Sequence, residues 1–208
     1  MHFELIFDVE TQKLFSDIES EDPADLGLSV VSVYGRKVDE EGEEVGGKMM
    51  SFWHPDAGMT PTVDAMWELF EKADRIIGFN SKKFDSRVLR PHYHKDIENF
   101  PHFDILEIVK ENLGKRLPLD LLAGSTLGVN KTDRGTNAVY YWANKTAGNL
   151  EKLQTYCESD VMITRDLYDF GRKHKYLKYI DRWNRVVEIP VDFSYPPPKQ
   201  TENQIGLF

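Results

Sequence analysis

With 208 residues and 40% hydrophobic content, the chain is long enough to bury one full core and short for two. Its formal charge of −9 excludes a protein that coats duplex DNA by neutralising many phosphates, although not an enzyme that grips a few nucleotides. No apolar run approaches the roughly 18 residues that a membrane span needs. A lone Cys157 rules out an internal disulfide, and the start MHFELIFDVE lacks a basic leader, so a soluble cytoplasmic protein with no membrane partner is expected.

In chain order, HFELIFDVE alternates and reads as a strand ending in an acidic segment. LGLSVVSVYGRKV and KMMSFWHP read as two more strands, joined by the charged turn DEEGEEVGG into an antiparallel meander. VDAMWELFEKA has helical spacing at Val63, Met66, Trp67 and Phe70, and RIIGFN is a compact buried strand. SKKFDSRVLRPHY, DILEIVKENL and LPLDLLAGSTL read as further helices, so the domain is α/β. The longest helix is expected over NLEKLQTYCESDVMITRDLYDFG, with Asn149 as N-cap and Gly171 as C-cap. KYIDRWNRVVEIPVDF holds short strand-like pieces. We expect one domain over residues 1–190 and a flexible tail over 191–208, where PPPKQTENQIGLF turns from Pro-rich to polar to apolar.

The acidic runs Asp17–Asp25 and Asp39–Glu44 read as solvated loops. Basic residues gather at Lys82, Lys83, Arg87, Arg90 and Lys95, and again at Arg172, Lys173, Lys175 and Lys178; each group is either a phosphate contact or a plain solvated helix face. On a strand, positions two apart share a face, so Asp8 and Glu10 project together. On a helix, positions four apart do, which aligns Tyr156 with Asp160. Asp85 follows the buried strand RIIGFN where a strand passes into a helix, a usual place for functional groups.

IFDVET, GFNSKKFD and YCESD, in that order, resemble the three exonuclease motifs of the DnaQ-like, or DEDD, superfamily. Tyr156, four residues before Asp160, resembles its tyrosine subgroup, and the likeness extends over roughly residues 3 to 170. The resemblance implies an RNase H-like mixed sheet, an antiparallel meander plus parallel strands, flanked by helices. It implies a 3′→5′ exonuclease that uses two Mg²⁺ or Mn²⁺ ions. Asp8 would bridge both ions, Glu10 and Asp160 would complete the site of the attacking water, Asp85 would support the second ion, and Tyr156 would orient the nucleophile. Hard oxygen donors without His or Cys favour those ions over Zn²⁺.

Within the second motif, Asn80 is expected to order the loop, and Phe84 to pack beneath the site or against a base. NKTDRGTNAVYYW, with Lys131, Arg134, Tyr140, Tyr141 and Trp142, suits single-stranded substrate, although Trp142 also fits a core position. Asp104 fits a helix N-cap or a structural contact, and His92, His94 and Cys157 read as structural. The terminal Gln204, Ile205, Gly206, Leu207 and Phe208 resemble the bacterial sliding-clamp-binding pentapeptide, which tilts the substrate from RNA toward DNA; the alternative is that these residues pack on their own domain. Competing functions are an RNA-processing exoribonuclease, a clamp-recruited nucleic-acid-binding adaptor with weak activity, and a different RNase H-like enzyme such as an endonuclease.

Overall fold

The computed structural model describes residues 1–129 and 135–195. The first alternating segment forms β1 (His2–Thr11), which pairs antiparallel with β2 (Leu28–Val38), itself antiparallel to β3 (Glu44–Trp53). The buried segment RIIG forms β4 (Arg75–Gly78), which lies parallel to β1 on its other side, followed by parallel β5 (His102–Asp104). The sheet order is β3-β2-β1-β4-β5, so the mixed α/β sheet expected from the sequence, an antiparallel meander plus parallel strands, is the one observed.

The period-2 alternation of β1 divides two cores. Leu5, Phe7 and Val9 face one, with Trp67 and Phe70 of α1 (Trp67–Lys72) and Val88 and Leu89 of α2 (Asp85–Leu89). Ile6 faces the other, with Ile105 and Val109 of α3 (Ile105–Leu113), Leu122 of α4 (Leu119–Leu127) and Val161 and Tyr168 of α6 (Ala147–His174). The helix α5 (Gly135–Ala143) joins a third cluster in which Ala138 and Trp142 pack with Val30, Trp53 and Tyr156.

Several boundaries differ from those expected. SKKFDSRVLRPHY yields only the short α2: Asn80 sits at φ +61° and opens a turn, and Pro91 stands in a 3-10 turn over Arg90–His92 because it has no N–H to continue the ladder. The long helix starts after Thr146, whose hydroxyl accepts from Asn149 N, and ends at Lys175 in the left-handed conformation, φ +65°. Gly171 therefore lies inside α6. It serves close packing there, since a Cβ at this position would meet the Phe193 ring at 2.3 Å. The strand-like pieces after α6 form a hairpin, β6 (Tyr176–Ile180) and β7 (Val186–Pro190), in a separate two-stranded sheet.

The segment after β7, counted with the tail in the sequence reading, is packed on the domain as far as Tyr195. Val191 and Phe193 are buried, and Arg75 donates to the carbonyls of Phe193 and Ser194, each at 2.9 Å. No helix among the described residues is long and apolar enough to cross a membrane.

Candidate active site

The even-numbered residues of β1 look toward α6. Tyr168 donates to Glu4 at 3.2 Å, and Cys157 donates through Sγ to the Asp8 carbonyl at 3.4 Å. Four strand residues span about 13 Å and eleven helical residues about 16 Å, so the two elements run past one another nearly in step. Asp160, between those two contacts, is carried to the Asp8 end of the strand. As a result Asp8, Glu10 and Asp160 each offer a carboxylate oxygen within 4.8 Å of the others. Tyr156 lies one helical turn before Asp160 and is 92% buried among Trp53, Trp142 and Leu153.

Asp8 and Glu10 extend beyond the carboxyl end of β4, whose pairing with β1 stops at Ile6 opposite Ile77. The chain leaving β4 turns sharply there. Gly78 permits this, because a Cβ on it would lie 2.3 Å from the Ser81 hydroxyl. Asp85, the first residue of α2, is buried and accepts from Val9 N at 3.1 Å, which places it behind the two strand acids. All four acids line one cavity of about 290 Å³, whose other walls include Leu14, Phe15, Phe79, Asn80 and Phe84. Phe84 both packs on the core and faces this cavity, in edge contact with Phe15 at 6.2 Å.

The electrostatics favour a bound cation. Two carboxylates at such distances repel by about 3–4 kcal/mol at an effective dielectric near 20. Burial pushes the Asp85 carboxyl up to about 7 against the opposing pull of its backbone hydrogen bonds, and Asp104 and Asp160 add to the rise. Burial likewise drives the Cys157 thiol well above its ordinary range, with the charges of Asp8 and Glu10 adding to it, so Cys157 stays a thiol and the donors are oxygens alone. Such a set fits a hard divalent ion.

Asp104 holds the site from outside. It caps α3 through Leu106 N at 3.0 Å and accepts from Asn80 N and Lys82 N at 2.9 and 3.1 Å, which fixes the turn ahead of Asp85. The nearby basic residues are largely paired: Lys82 with Glu107, Arg90 with Asp22 and Lys95 with Glu71. Arg172 and Lys173 stand in the last turn of α6, where the helix dipole favours cations. Trp142 is buried, whereas Tyr140 is 60% exposed; Lys131 and Arg134 lie outside the described residues, as do Gln204, Ile205, Gly206, Leu207 and Phe208. The sequence reading passed over Leu14, Phe15 and Arg116, all in connecting segments without periodicity to mark them.

The family model RNase_H_2, described as RNase_H superfamily, matches residues 5–170. The chain belongs to the RNase H superfamily. No curated protein matches it. Among solved structures, this RNase H superfamily chain is similar to the family B DNA polymerase from the hyperthermophilic archaeon Pyrobaculum calidifontis, with a TM-score of 0.55 and 19% identity over 82% of its own length. It spans 24% of the polymerase chain, and at that identity the likeness is one of fold.

Half-buried His102 gives a pH prediction. Its ring meets the Ser81 hydroxyl at 2.8 Å and the Ser86 hydroxyl at 3.4 Å, and burial, with a smaller contribution from Lys82, depresses its pKa to about 3. The unfolded chain then binds a proton that the folded one refuses between pH 6.5 and about 3. Stability is therefore fully present above pH 6.5 and falls as the pH drops, by at most about 1.4 kcal/mol per pH unit. Urea unfolding at pH 7.5 and pH 5 should show a loss about 1–2 kcal/mol larger in the wild type than in His102→Gln; parallel profiles would contradict it.

Proposed function

We propose that the chain is a divalent-metal-dependent 3′→5′ exonuclease that releases nucleotides from single-stranded ends, DNA in preference to RNA. The observation that supports this best is the meeting of Asp8, Glu10 and Asp160 in a cavity of about 290 Å³ with Asp85 in its wall. That volume is close to the lower end of small-ligand sites.

Mg²⁺ or Mn²⁺, when bound, would supply an activated water and charge neutralisation at the scissile phosphate. Asp8, Glu10 and Asp160 would hold the metal, and Asp85 in the cavity wall would support it. Tyr156, carried one turn ahead of Asp160, orients the attacking water through its hydroxyl as a hydrogen-bonding positioner. Leu14, Phe15 and Phe84 line the apolar side of the cavity and exclude water around the terminal base.

Equimolar DNA and RNA strands of one sequence, incubated with Mn²⁺, test the reading. DNA is expected to shorten faster, and faster RNA shortening would move the function to RNA processing. Metal at about 100 times its dissociation constant should also stabilise the fold by about 2.7 kcal/mol, visible as a raised Tm, and no shift would count against the metal centre. Gln204, Ile205, Leu207 and Phe208 recruit the enzyme to a sliding clamp under this reading. Deleting residues 204–208 should abolish clamp binding while hydrolysis of a short oligonucleotide continues.

A further inference from the structure

The cavity beside the acids is one half of a longer groove. A second cavity, of about 390 Å³, shares Asp8, Phe79, Asn80 and Asp160 with the first and continues over Leu106, Leu117, Pro118 and Leu119. Arg116, on the turn between α3 and α4, is the cation among the residues that line it. Its Nη2 donates to Asn80 Oδ1 at 2.6 Å, and Asn80 is itself anchored through its backbone N–H to Asp104. The side chain is exposed, and among the described residues no carboxylate pairs with it, in contrast to Lys82, Arg90 and Lys95. Farther out, Lys83 and Lys110 share a small hollow with Arg116.

The aromatic rings of Phe15 and Phe84, with Leu14 and Leu26, give the first half an apolar surface suited to a base, with Lys13 also in its wall; the second, walled by Leu106, Leu117, Pro118 and Leu119, holds Arg116 as its cation, and Asn80 belongs to both. A polyanion laid across a cluster of carboxylates needs a cation close by. A guanidinium whose orientation is set by one hydrogen bond keeps further N–H groups of its planar fork for a phosphate.

We infer that Arg116 binds the phosphate one nucleotide inward of the scissile one, the second internucleotide phosphate from the 3′ end, and so aligns the strand with its last nucleoside in the apolar half. The inference rests on the exonuclease reading for the strand direction, and on the groove alone for the contact. Asn80 is then a positioning residue that sets the guanidinium.

The test is binding of a 5′-fluorescent single strand in Ca²⁺, followed by anisotropy across a salt series, for the wild type, Arg116→Ala and Arg116→Lys. Loss of one phosphate contact should reduce the slope of log K against log salt by about 0.7 in Arg116→Ala. Affinity should fall about tenfold, as for a lost hydrogen bond to a charged group. Arg116→Lys should keep the slope, since its charge remains. Replacing the second phosphate by a neutral methylphosphonate should weaken the wild type about tenfold and Arg116→Ala no further. An unchanged slope, additive losses or no binding by the wild type would each overturn the contact. Arg116-dependent binding without 3′ shortening in Mn²⁺ would sink the exonuclease reading alone, and shortening with an unchanged slope would sink the Arg116 contact alone.

Discussion

Asp8→Asn is expected to slow nucleotide release in Mn²⁺ by at least about 10³-fold, since removing partners outside the ligand shell already costs about 10–100-fold at metal sites. The substitution keeps shape and removes charge. Asp8 is half-buried, and Cys157 donates through Sγ to its backbone carbonyl at 3.4 Å and to its Oδ2 at 3.8 Å; an asparagine keeps the carbonyl and offers an amide oxygen in place of Oδ2, so the fold should persist with an unchanged circular dichroism spectrum. Glu19→Gln, in the exposed acidic run, removes the same charge from the chain and should leave the rate unaltered. Equal rates for Asp8→Asn and the wild type would remove Asp8 from the chemistry.

Arg36→Met is expected to destabilise the fold by about 3–5 kcal/mol, the cost of leaving a buried charge without its partner. The register explains why. Glu4 on β1 lies directly opposite Arg36 on β2 and opposite Arg75 on β4, so three neighbouring strands set an acid between two guanidinium groups. Glu4 is fully buried and Arg36 nearly so; Arg36 reaches Glu4 at 2.8 Å and takes Asp169 of α6 in a fork of 2.7 and 2.6 Å. Burial works against the Arg36 charge, and Asp169 with Glu4 outweighs it, so its pKa ends above the ordinary value. Tyr168 and Tyr195 donate to the other Glu4 oxygen, the latter at 2.7 Å, which ties the segment after β7 to the same knot. The double substitution Glu4→Leu with Arg36→Met should recover much of the loss. Chemical denaturation of the single and double variants checks both, and equal losses would show that lost packing, not an orphaned charge, sets the cost.

The site was more legible in the sequence than this knot. Period-2 alternation fixed the shared face of Asp8 and Glu10, and the order of the three motifs supplied the partners that the structure gathers around one cavity. Glu4, Arg36 and Arg75 read locally as ordinary charges on strands. Only the pairing of β1 with β2 and β4 reveals that Glu4 meets Arg36 inside the protein and that Arg75 lies alongside, and no local pattern encodes that pairing. The same reason hid Arg116, whose meaning depends on a turn brought beside Asn80 from 36 residues away. Boundaries failed where one residue reset the backbone, at Asn80 and at Lys175, both with positive φ. Phe193 escaped notice because it lies beyond the last strand, yet it stacks on Tyr168 at 5.6 Å and fills the space that Gly171 leaves.

The most direct test of a metal centre acting on strand ends is digestion of one single-stranded oligonucleotide labelled separately at its 5′ and 3′ ends, with Mn²⁺ or with EDTA. With Mn²⁺, the 5′ label should pass through a ladder of progressively shorter strands while the 3′ label appears at once as mononucleotide, and EDTA should stop both. Internal fragments from either label, or release that continues in EDTA, would contradict the account.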